Sequence, residues 1–342
     1  MVATGGAVAK GRGAPHDRAV AQRAVVAGID EAGYGPVLGP LVVSAAVFEV
    51  PAERVDGCLW TALKASVAPS PRPRDRRVAI LDSKKLYQRA EGLGPLERSA
   101  LAAVTAWRGL PPTAAALLDL LCPAATAALA AQPWYGSLDL PLPRAADAGG
   151  VRLAAGRLRA DGEAQGARLT GLLSEPLAEQ RYNRMVAATR NKALVLFALT
   201  TRLIQRVADA FPGRTLYIFA DKQGARGRYG RMLRTAFEDR RLIVHEETAD
   251  RSVYELCAAP ATWRIQFAQN GEAAHLPVAL ASIVSKYVRE LLMAAFNDWW
   301  ARQVPGVAAT AGYYRDGLRF FEQVRPHLAR LNLRQEQLLR AR

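Results

Sequence analysis

The sequence is poor in the residues that form disulfide bridges and zinc sites. It contains three cysteines and four histidines among 342 residues. Cys58, Cys122 and Cys257 are far apart and form no CxxC pair, and the histidines show no metal-binding spacing. Because an odd number of distant cysteines cannot make a disulfide framework, we expect a protein of the reducing cytoplasm.

Long apolar runs are also missing. No stretch of about twenty apolar residues is free of charge, and the first residues lack the apolar core of a secretory signal. We therefore expect no transmembrane helix and no membrane partner. Half of the residues are nevertheless hydrophobic, which is enough for a sizeable core and argues against global disorder.

Negative charge is scarce. Forty-six Lys and Arg residues face 31 Asp and Glu residues, so the net charge is +15. A genome whose base composition favours Arg and Ala codons explains part of this excess. An excess of this size still favours a polyanionic partner with salt-sensitive binding, and Arg suits bidentate phosphate contacts.

Strand-like and helix-like patterns alternate along the chain and predict an α/β layer fold. Short apolar runs bounded by turn residues predict strands at residues 24–29, 40–48, 167–175, 215–221 and 241–248, and a hairpin at 253–269. Helical spacing predicts helices at residues 182–211, 228–238 and 277–303, and a basic helical stretch from 313.

Composition divides the chain into three parts. Residues 1–23, rich in Gly, Ala and Arg, are predicted to be a flexible basic tail. Residues 24–303 carry the alternating pattern of the main domain, and residues 304–342 form a basic helical segment. Within the main domain, the Ala, Pro and Leu-rich residues 109–166 are predicted to be an insertion of one or two helices and an irregular loop.

Acidic residues recur where predicted strands end. Asp30 and Glu31 follow the first strand, Asp221 ends another, and Glu272 shortly precedes the helix that opens at Pro277. A single acid in such a place is often a solvated turn residue or a helix cap. If these acids cluster at one edge of the sheet, two carboxylates about 4 Å apart would repel each other by roughly 4 kcal/mol at an effective dielectric near 20. Such a cluster favours Mg²⁺ or Mn²⁺ and two-metal phosphoryl transfer.

Six motifs follow one another along the chain: GIDEAGYGP, LDSKKL, YNRMVAATRNKAL, YIFAD, NGEAAHLPVALASIVSKYVREL and TAGYYRDG. In this order they resemble the type 2 ribonucleases H (ribonuclease HII and its relatives). The resemblance implies an RNase H-like fold with a central mixed sheet flanked by helices in residues 24–303. It also implies an endonuclease that cuts the RNA strand of RNA–DNA hybrids, or duplexes containing ribonucleotides, and leaves 5′-phosphomonoesters. We expect a monomer.

The resemblance also implies a set of metal ligands. Asp30, Glu31 and Asp221 match the acids of the family, and Asp30 would bridge two Mg²⁺ or Mn²⁺ ions. Glu272 falls on the fourth position, where ribonuclease HII usually has Asp and ribonuclease HIII has Glu. Asp250 is a competing candidate for that fourth position, with a less suitable spacing to the Ala-Ser-Ile motif at 281–283.

Seven further residues are candidates for substrate contact: Gly33, Tyr34, Gly35, Lys84, Ser282, Lys286 and Tyr313. The resemblance implies this role for the turn, Lys84 and Tyr313, whereas Ser282 and Lys286 lie one helical turn apart on the face toward the site. A serine bonded to its own helix and an aromatic anchor of the C-terminal helix are equally ordinary roles for Ser282 and Tyr313. The turn departs from the family, since Tyr34 stands where ribonuclease HII has an Arg that grips phosphate. Its glycines still allow backbone to approach a ribose, whose 2′-OH distinguishes RNA from DNA. Lys85 and His275 lie near the motifs but fit a solvated lysine and a loop residue.

Two other functions remain open from the sequence. The first is a catalytically altered paralogue that binds hybrids or structured nucleic acid without cutting, suggested by Tyr34, Glu272 and the insertion. The second is an RNase H-like nuclease with another substrate, such as a DNA junction.

Overall fold

The computed structural model describes residues 1, 23–70, 75–87, 92–224 and 226–341. The predicted N-terminal tail lies outside the described residues except for Met1 and Arg23.

The described residues form one large mixed sheet and one small one. The strands are β1 (Arg23–Ala32), β2 (Leu41–Pro51), β3 (Val67–Ala68), β4 (Val78–Ala79), β5 (Arg168–Leu177), β6 (Leu216–Asp221), β7 (Arg241–Glu247), β8 (Arg251–Ala258) and β9 (Ala261–Ala268). The large sheet has seven strands in the order β5-β2-β1-β6-β9-β8-β7, and β3 pairs with β4. β6 runs parallel to its neighbours β1 and β9, and the other neighbours in this sheet are antiparallel.

Helices cover both faces of this sheet. They are α1 (Leu59–Ala62), α2 (Ser83–Leu86), α3 (Gly94–Arg108), α4 (Ala114–Leu121), α5 (Pro123–Ala130), α6 (Ala148–Gln165), α7 (Glu179–Thr189), α8 (Lys192–Ala210), α9 (Gly230–Ala236), α10 (Gly271–Ala274), α11 (Leu276–Gln303), α12 (Tyr314–Val324) and α13 (Gln335–Leu338). Because side chains alternate along β1, Val26 packs into a core with α3 and α11, and Val25 into a second core with α8. The predicted fold, a mixed sheet flanked by helices, is confirmed.

Helix α11 lies unusually close to β1 because Gly28 has no side chain. A Cβ atom at this position would overlap the backbone of Pro277 and Val278 in the first turn of α11. The opening hairpin predicted from the sequence is also present, with Asp30 opposite Ser44 in the β1–β2 register. Together these contacts fix the start of α11 beneath the strand that ends in the two acids.

The predicted long helix at residues 182–211 is wrong, because the chain forms two helices there. Arg190 adopts a left-handed conformation with φ of 51° and ends α7. Asn191 then caps α8, since its side-chain oxygen accepts a hydrogen bond from the backbone N–H of Ala193 at 2.9 Å. A polar cap of this kind satisfies one of the free amides at the start of a helix.

The segment 109–166 contains three helices, α4 to α6, where one or two were predicted. It packs against α11 through Trp134, whose ring lies 5.5 Å from that of Phe296 and 5.8 Å from that of Trp299. Trp300 is fully buried in the same aromatic group. The segment therefore contributes to the main hydrophobic core.

A buried carboxylate fastens the same segment to α3 and α11. Glu97, fully buried, accepts hydrogen bonds from the backbone amides of Arg144, Ala145 and Ala146 at 2.6–2.8 Å and from the hydroxyl of Tyr287 at 2.7 Å. Four donors replace the water that the carboxylate loses on burial.

The basic segment 304–342 is less helical than predicted, with α12, a short 3₁₀ turn and α13 joined by irregular stretches. Phe320, Val324 and Leu338 place it in the core shared with α11. In the described part of the chain, no helix is long and apolar enough to cross a membrane.

The close contact at Gly28 makes a testable prediction. Gly28→Ala forces backbone against backbone, so we expect a loss of roughly 3 kcal/mol or more in the free energy of unfolding, measured by urea titration. Gly156→Ala is the matched control. Gly156 lies exposed within α6, and a Cβ atom added there would have no neighbouring atom within 4 Å, so this change should stabilise by about 0.5–1 kcal/mol. Equal effects at the two glycines would contradict the constraint.

Candidate active site

Three of the predicted acids lie at one edge of the large sheet because β1 and β6 are parallel neighbours. The register pairs Ile29 with Ala220, so the next residues, Asp30 and Asp221, follow at the same end. Glu31 comes directly after Asp30 in β1. The carboxyl ends of adjacent parallel strands are a common place for functional side chains.

The fourth acid, Glu272, reaches this edge through the loop that follows β9. The backbone N–H of Gly271 donates a hydrogen bond to Asp221 Oδ1 at 2.8 Å. Glu272 is the next residue and lies in α10. The competing candidate Asp250 lies exposed in the turn between β7 and β8, where its carbonyl accepts a hydrogen bond from the backbone N–H of Gln269.

Burial raises the pKa values of the adjacent pair. The pKa of Asp30 is well above its usual range, chiefly because of burial and then because of the charge of Glu31. Burial, followed by the charge of Asp221, raises the pKa of Glu31 to about 7.

Two neighbouring charges act on the other acids. Burial also raises the pKa of Asp221 and of Glu272. The positive charge of Lys84 opposes this rise in pKa at Glu31, Asp221 and Glu272. The charge of Asp82, which caps α2, raises the pKa of Glu272 further. Lys84 is therefore close enough to act on three of the four acids.

Two serines of α11 hydrogen-bond the acids or their backbone. Ser282 is 3% exposed, and its hydroxyl lies 3.3 Å from Glu272 Oε2 and 3.0 Å from the hydroxyl of Ser83. It also hydrogen-bonds the side chain of Asp30. Ser285 donates to the carbonyl oxygen of Asp30 at 2.9 Å. Ser282 was predicted to contact substrate, and the structure instead surrounds its hydroxyl with protein groups.

The glycine-containing turn after β1 packs against the buried side chain of Arg289. Gly33 has φ of 87°, and a Cβ atom there would lie 2.6 Å from Nε of Arg289. Tyr34 is partly exposed, and Nζ of Lys192 lies 5.1 Å from its ring centre. Burial raises the pKa of Tyr34, and the charges of Tyr182 and Glu31 add to this effect. The turn is therefore electrostatically coupled to the acidic cluster.

Lys286 and Tyr313, the remaining residues predicted to contact substrate, and the nearby His275 have different environments. Lys286 forms an ion pair with Glu290 at 2.7 Å, and its Nζ lies 4.7 Å from the ring centre of Tyr87. Tyr313 is 53% exposed at the start of α12. His275 stacks on Phe219 with ring centres 3.9 Å apart, so it is a packed residue between α10 and α11.

The four acids supply the type of ligand atom that a divalent cation prefers, but their side chains are not placed around a common metal position. In the described part of the chain, His, Cys, Asp and Glu side chains form no group of three or more placed to hold a metal ion. Carboxylate oxygens are nevertheless the ligands that Mg²⁺ and Mn²⁺ prefer. Burial raises the pKa values of Asp30, Glu31, Asp221 and Glu272, and neighbouring negative charges raise those of Asp30, Glu31 and Glu272 further, so the cluster favours the uptake of protons.

Some residues of the site were missed from the sequence. Asp82 acts on Glu272, Ser285 bonds the backbone of Asp30, and Ser83 contacts Ser282, although all three lie in motifs that were recognised. Arg340, which donates to the carbonyl of Gly33, is 307 residues away from it along the chain and carries no local signal.

Comparisons with known proteins gave structural matches alone. No protein-family model and no curated protein matches the sequence. Among solved structures, the chain is similar to one from the PCNA:RNase HII complex of Archaeoglobus fulgidus, at 16% identity and a TM-score of 0.45, over 93% of this chain and 94% of that one. It is also similar to Bst-RNase HIII in complex with Mn²⁺, at 17% identity and a TM-score of 0.42, over 87% of this chain and 62% of that one. Ribonuclease H2 from Pyrococcus horikoshii gives 13% identity and a TM-score of 0.37, over 92% of both chains.

The raised pKa of Glu31 predicts how stability depends on pH without added metal. Because the folded state favours the uncharged carboxyl, this stabilisation is complete below its ordinary pKa of 4.5 and is lost as the pH rises through about 7. We expect the free energy of unfolding to fall by on the order of 2 kcal/mol between about pH 5 and about pH 8, measured by urea titration with a chelator.

Two variants separate Glu31 from the rest of the chain in this measurement. Glu31→Gln should reduce the pH dependence, of which Asp30, Asp221 and Glu272 supply the remainder, whereas Glu322→Gln, on the exposed side of α12, should leave it as it is. A slope that is the same in wild type and in Glu31→Gln would contradict the assignment.

Proposed function

We propose that the protein is a metal-dependent endoribonuclease of the type 2 ribonuclease H kind that cuts the RNA strand of RNA–DNA hybrids. One observation carries the proposal. Four acids with raised pKa values meet at one sheet edge, beside Lys84, in a chain of net charge +15. A mutually repelling carboxylate cluster in a basic protein suits cations and phosphate together.

In this proposal, Asp30, Glu31, Asp221 and Glu272 hold two Mg²⁺ or Mn²⁺ ions. The bound ions would lower the pKa of an attacking water and stabilise the leaving oxygen. Ser282 orients Asp30 and Glu272, and Ser285 fixes the backbone of Asp30. Lys84 opposes the rise in the pKa values of Glu31, Asp221 and Glu272 and would present a positive charge to the phosphate.

The substrate would lie along the turn at residues 33–35. The backbone of this turn would approach the ribose and read its 2′-OH. Tyr34 cannot make the bidentate phosphate contact of an Arg. Lys192 is 5.1 Å from the Tyr34 ring, and the charge of Arg226 also acts on this tyrosine. These two cations would supply the phosphate contact beside Tyr34, and Tyr313 would pack on a neighbouring sugar.

The proposal also covers organisation. Residues 24–303 would be the catalytic domain, acting as a monomer on a hybrid or a ribonucleotide-containing duplex, with the segment 304–342 supporting it. The exposed Tyr313 lies in that segment.

Cleavage of a labelled hybrid tests the function directly. Purified protein should cut the RNA strand in Mg²⁺ or Mn²⁺, and Asp30→Asn should abolish cutting, because it removes a carboxylate charge that would hold the ions. Asp298→Asn changes the same residue type on the exposed side of α11 and should retain activity.

Different results would support the other functions. Tight binding of an intact hybrid in both metals would indicate a non-cleaving paralogue. Equal cutting of a fully 2′-deoxy substrate would indicate a nuclease with another substrate.

The charge of Lys84 predicts a shift in the pH dependence of cutting. Lys84→Met removes the charge that lowers the pKa values of Glu31, Asp221 and Glu272, so these acids ionise at higher pH. We expect the acidic limb of the pH–rate profile to move upward and the rate near pH 6 to fall about tenfold, equivalent to about 1.4 kcal/mol. Lys85→Met, at the adjacent exposed position, is the control. A uniform loss at every pH would show that Lys84 acts on substrate alone.

A further inference from the structure

A buried arginine from the far end of the described chain holds the turn after β1. Arg340 follows α13 and is 5% exposed. Its Nη1 donates to the carbonyl oxygen of Gly33, and its Nη2 lies 3.4 Å from the carbonyl oxygen of Tyr34. Its backbone N–H donates to the carbonyl oxygen of Val37 at 2.8 Å. One residue thus reaches three carbonyls between β1 and β2.

The segment carrying Arg340 is itself fastened to α7. Asn183 Nδ2 donates to the carbonyl oxygens of Glu336 and Leu339 at 2.7 and 2.6 Å, and Asn183 Oδ1 accepts from the N–H of Ala341 at 2.6 Å. The guanidinium of Arg340 also lies 4.0 Å from the ring centre of Tyr182, the residue before Asn183. Asn183 therefore fixes the segment on both sides of Arg340.

Burying this charge is costly unless it is compensated. Burial lowers the pKa of Arg340, and the charge of Arg289 adds to this effect. The charge and hydrogen bond of Tyr182, and then the charge of the fully buried Glu179, oppose it. A second buried arginine, Arg289, lies against Gly33 from the other side and donates to the carbonyl oxygen of Ala311 at 3.0 Å. Nε of both arginines lacks a hydrogen-bond partner among the described residues. The carbonyls of the turn are therefore a substantial part of what stabilises Arg340 in place.

The consequence concerns the orientation of the peptide groups in the turn. Glycine populates positive and negative φ with similar ease, so a turn containing Gly33 and Gly35 would otherwise sample several peptide orientations. Arg340 binds the carbonyl oxygens of residues 33 and 34 and so fixes the orientation of these two peptide groups. The sides of the peptide groups that face away from Arg340 then present a single arrangement to a ligand.

We propose that Arg340 is a positioning residue that sets the ribose selectivity of the turn at residues 33–35. The inference rests on the proposed function, because it takes the ligand of the turn to be a ribose. It extends that function by assigning selectivity to a residue that does not touch the substrate.

Hydrogen exchange followed by mass spectrometry tests the positioning without any substrate. Arg340→Met keeps the length of the side chain and removes its donors, and Asn183→Ala releases the segment without changing Arg340. Both should increase exchange in peptides covering residues 31–39. Arg334→Ala, an exposed residue of the same segment, should leave these peptides unchanged. Unaltered exchange in both Arg340→Met and Asn183→Ala would overturn the proposal.

Steady-state cleavage tests the selectivity. The measured quantity is the ratio of kcat/KM for an RNA–DNA hybrid to that for the same hybrid with 2′-fluoro sugars, which keep the size of the sugar and remove the hydroxyl donor. We expect Arg340→Met to reduce this ratio about tenfold through a higher KM for the hybrid, and Arg340→Lys, which restores one donor, to recover part of it. Arg334→Ala should keep the wild-type ratio.

The outcomes separate this inference from the function on which it rests. A loosened turn with an unchanged ratio would overturn the role in selectivity. If the wild-type protein leaves hybrids uncut while the turn loosens in the variants, the proposed function fails and the positioning by Arg340 stands.

Discussion

The contact between the first turn of α11 and the backbone of β1 at Gly28 is the constraint on which the site depends. Without a side chain at Gly28, backbone meets backbone, and α11 begins directly beneath the strand that carries Asp30 and Glu31. The serines of α11 then fall within hydrogen-bonding distance of the acids. A wider separation would leave the same residues in the sequence but no polar support for the cluster.

The cost of burying four acids close together is offset by polar and positively charged groups from several helices and loops. Asp221 receives the amide of Gly271, Glu272 meets Ser282, and Lys84 acts on three acids at once. None of these groups neutralises the cluster completely, since all four pKa values remain raised. Burial is the largest cause of the raised pKa values, and repulsion adds to it at Asp30, Glu31 and Glu272, so the cluster favours protonated carboxyl groups.

The sequence was sufficient for the elements with strong local patterns and insufficient where long-range contacts decide. The strands ending at Asp30 and Asp221 and the helix opening at Pro277 could be predicted because apolar runs and turn residues mark them. The division at Arg190 was missed because helical spacing continues across it. Arg340 was missed for a physical reason: its burial depends on Asn183, Glu179 and the turn at Gly33, which only the folded chain brings together.

The buried carboxylate of Glu97 makes the core of the protein depend on the segment 109–166. Three of its four hydrogen-bond donors are backbone amides of that segment, and the fourth is Tyr287 of α11. Without residues 109–166, Tyr287 would be the one remaining donor of these four to a carboxylate buried in the core. The stability of Glu97 in its buried position therefore depends on that segment.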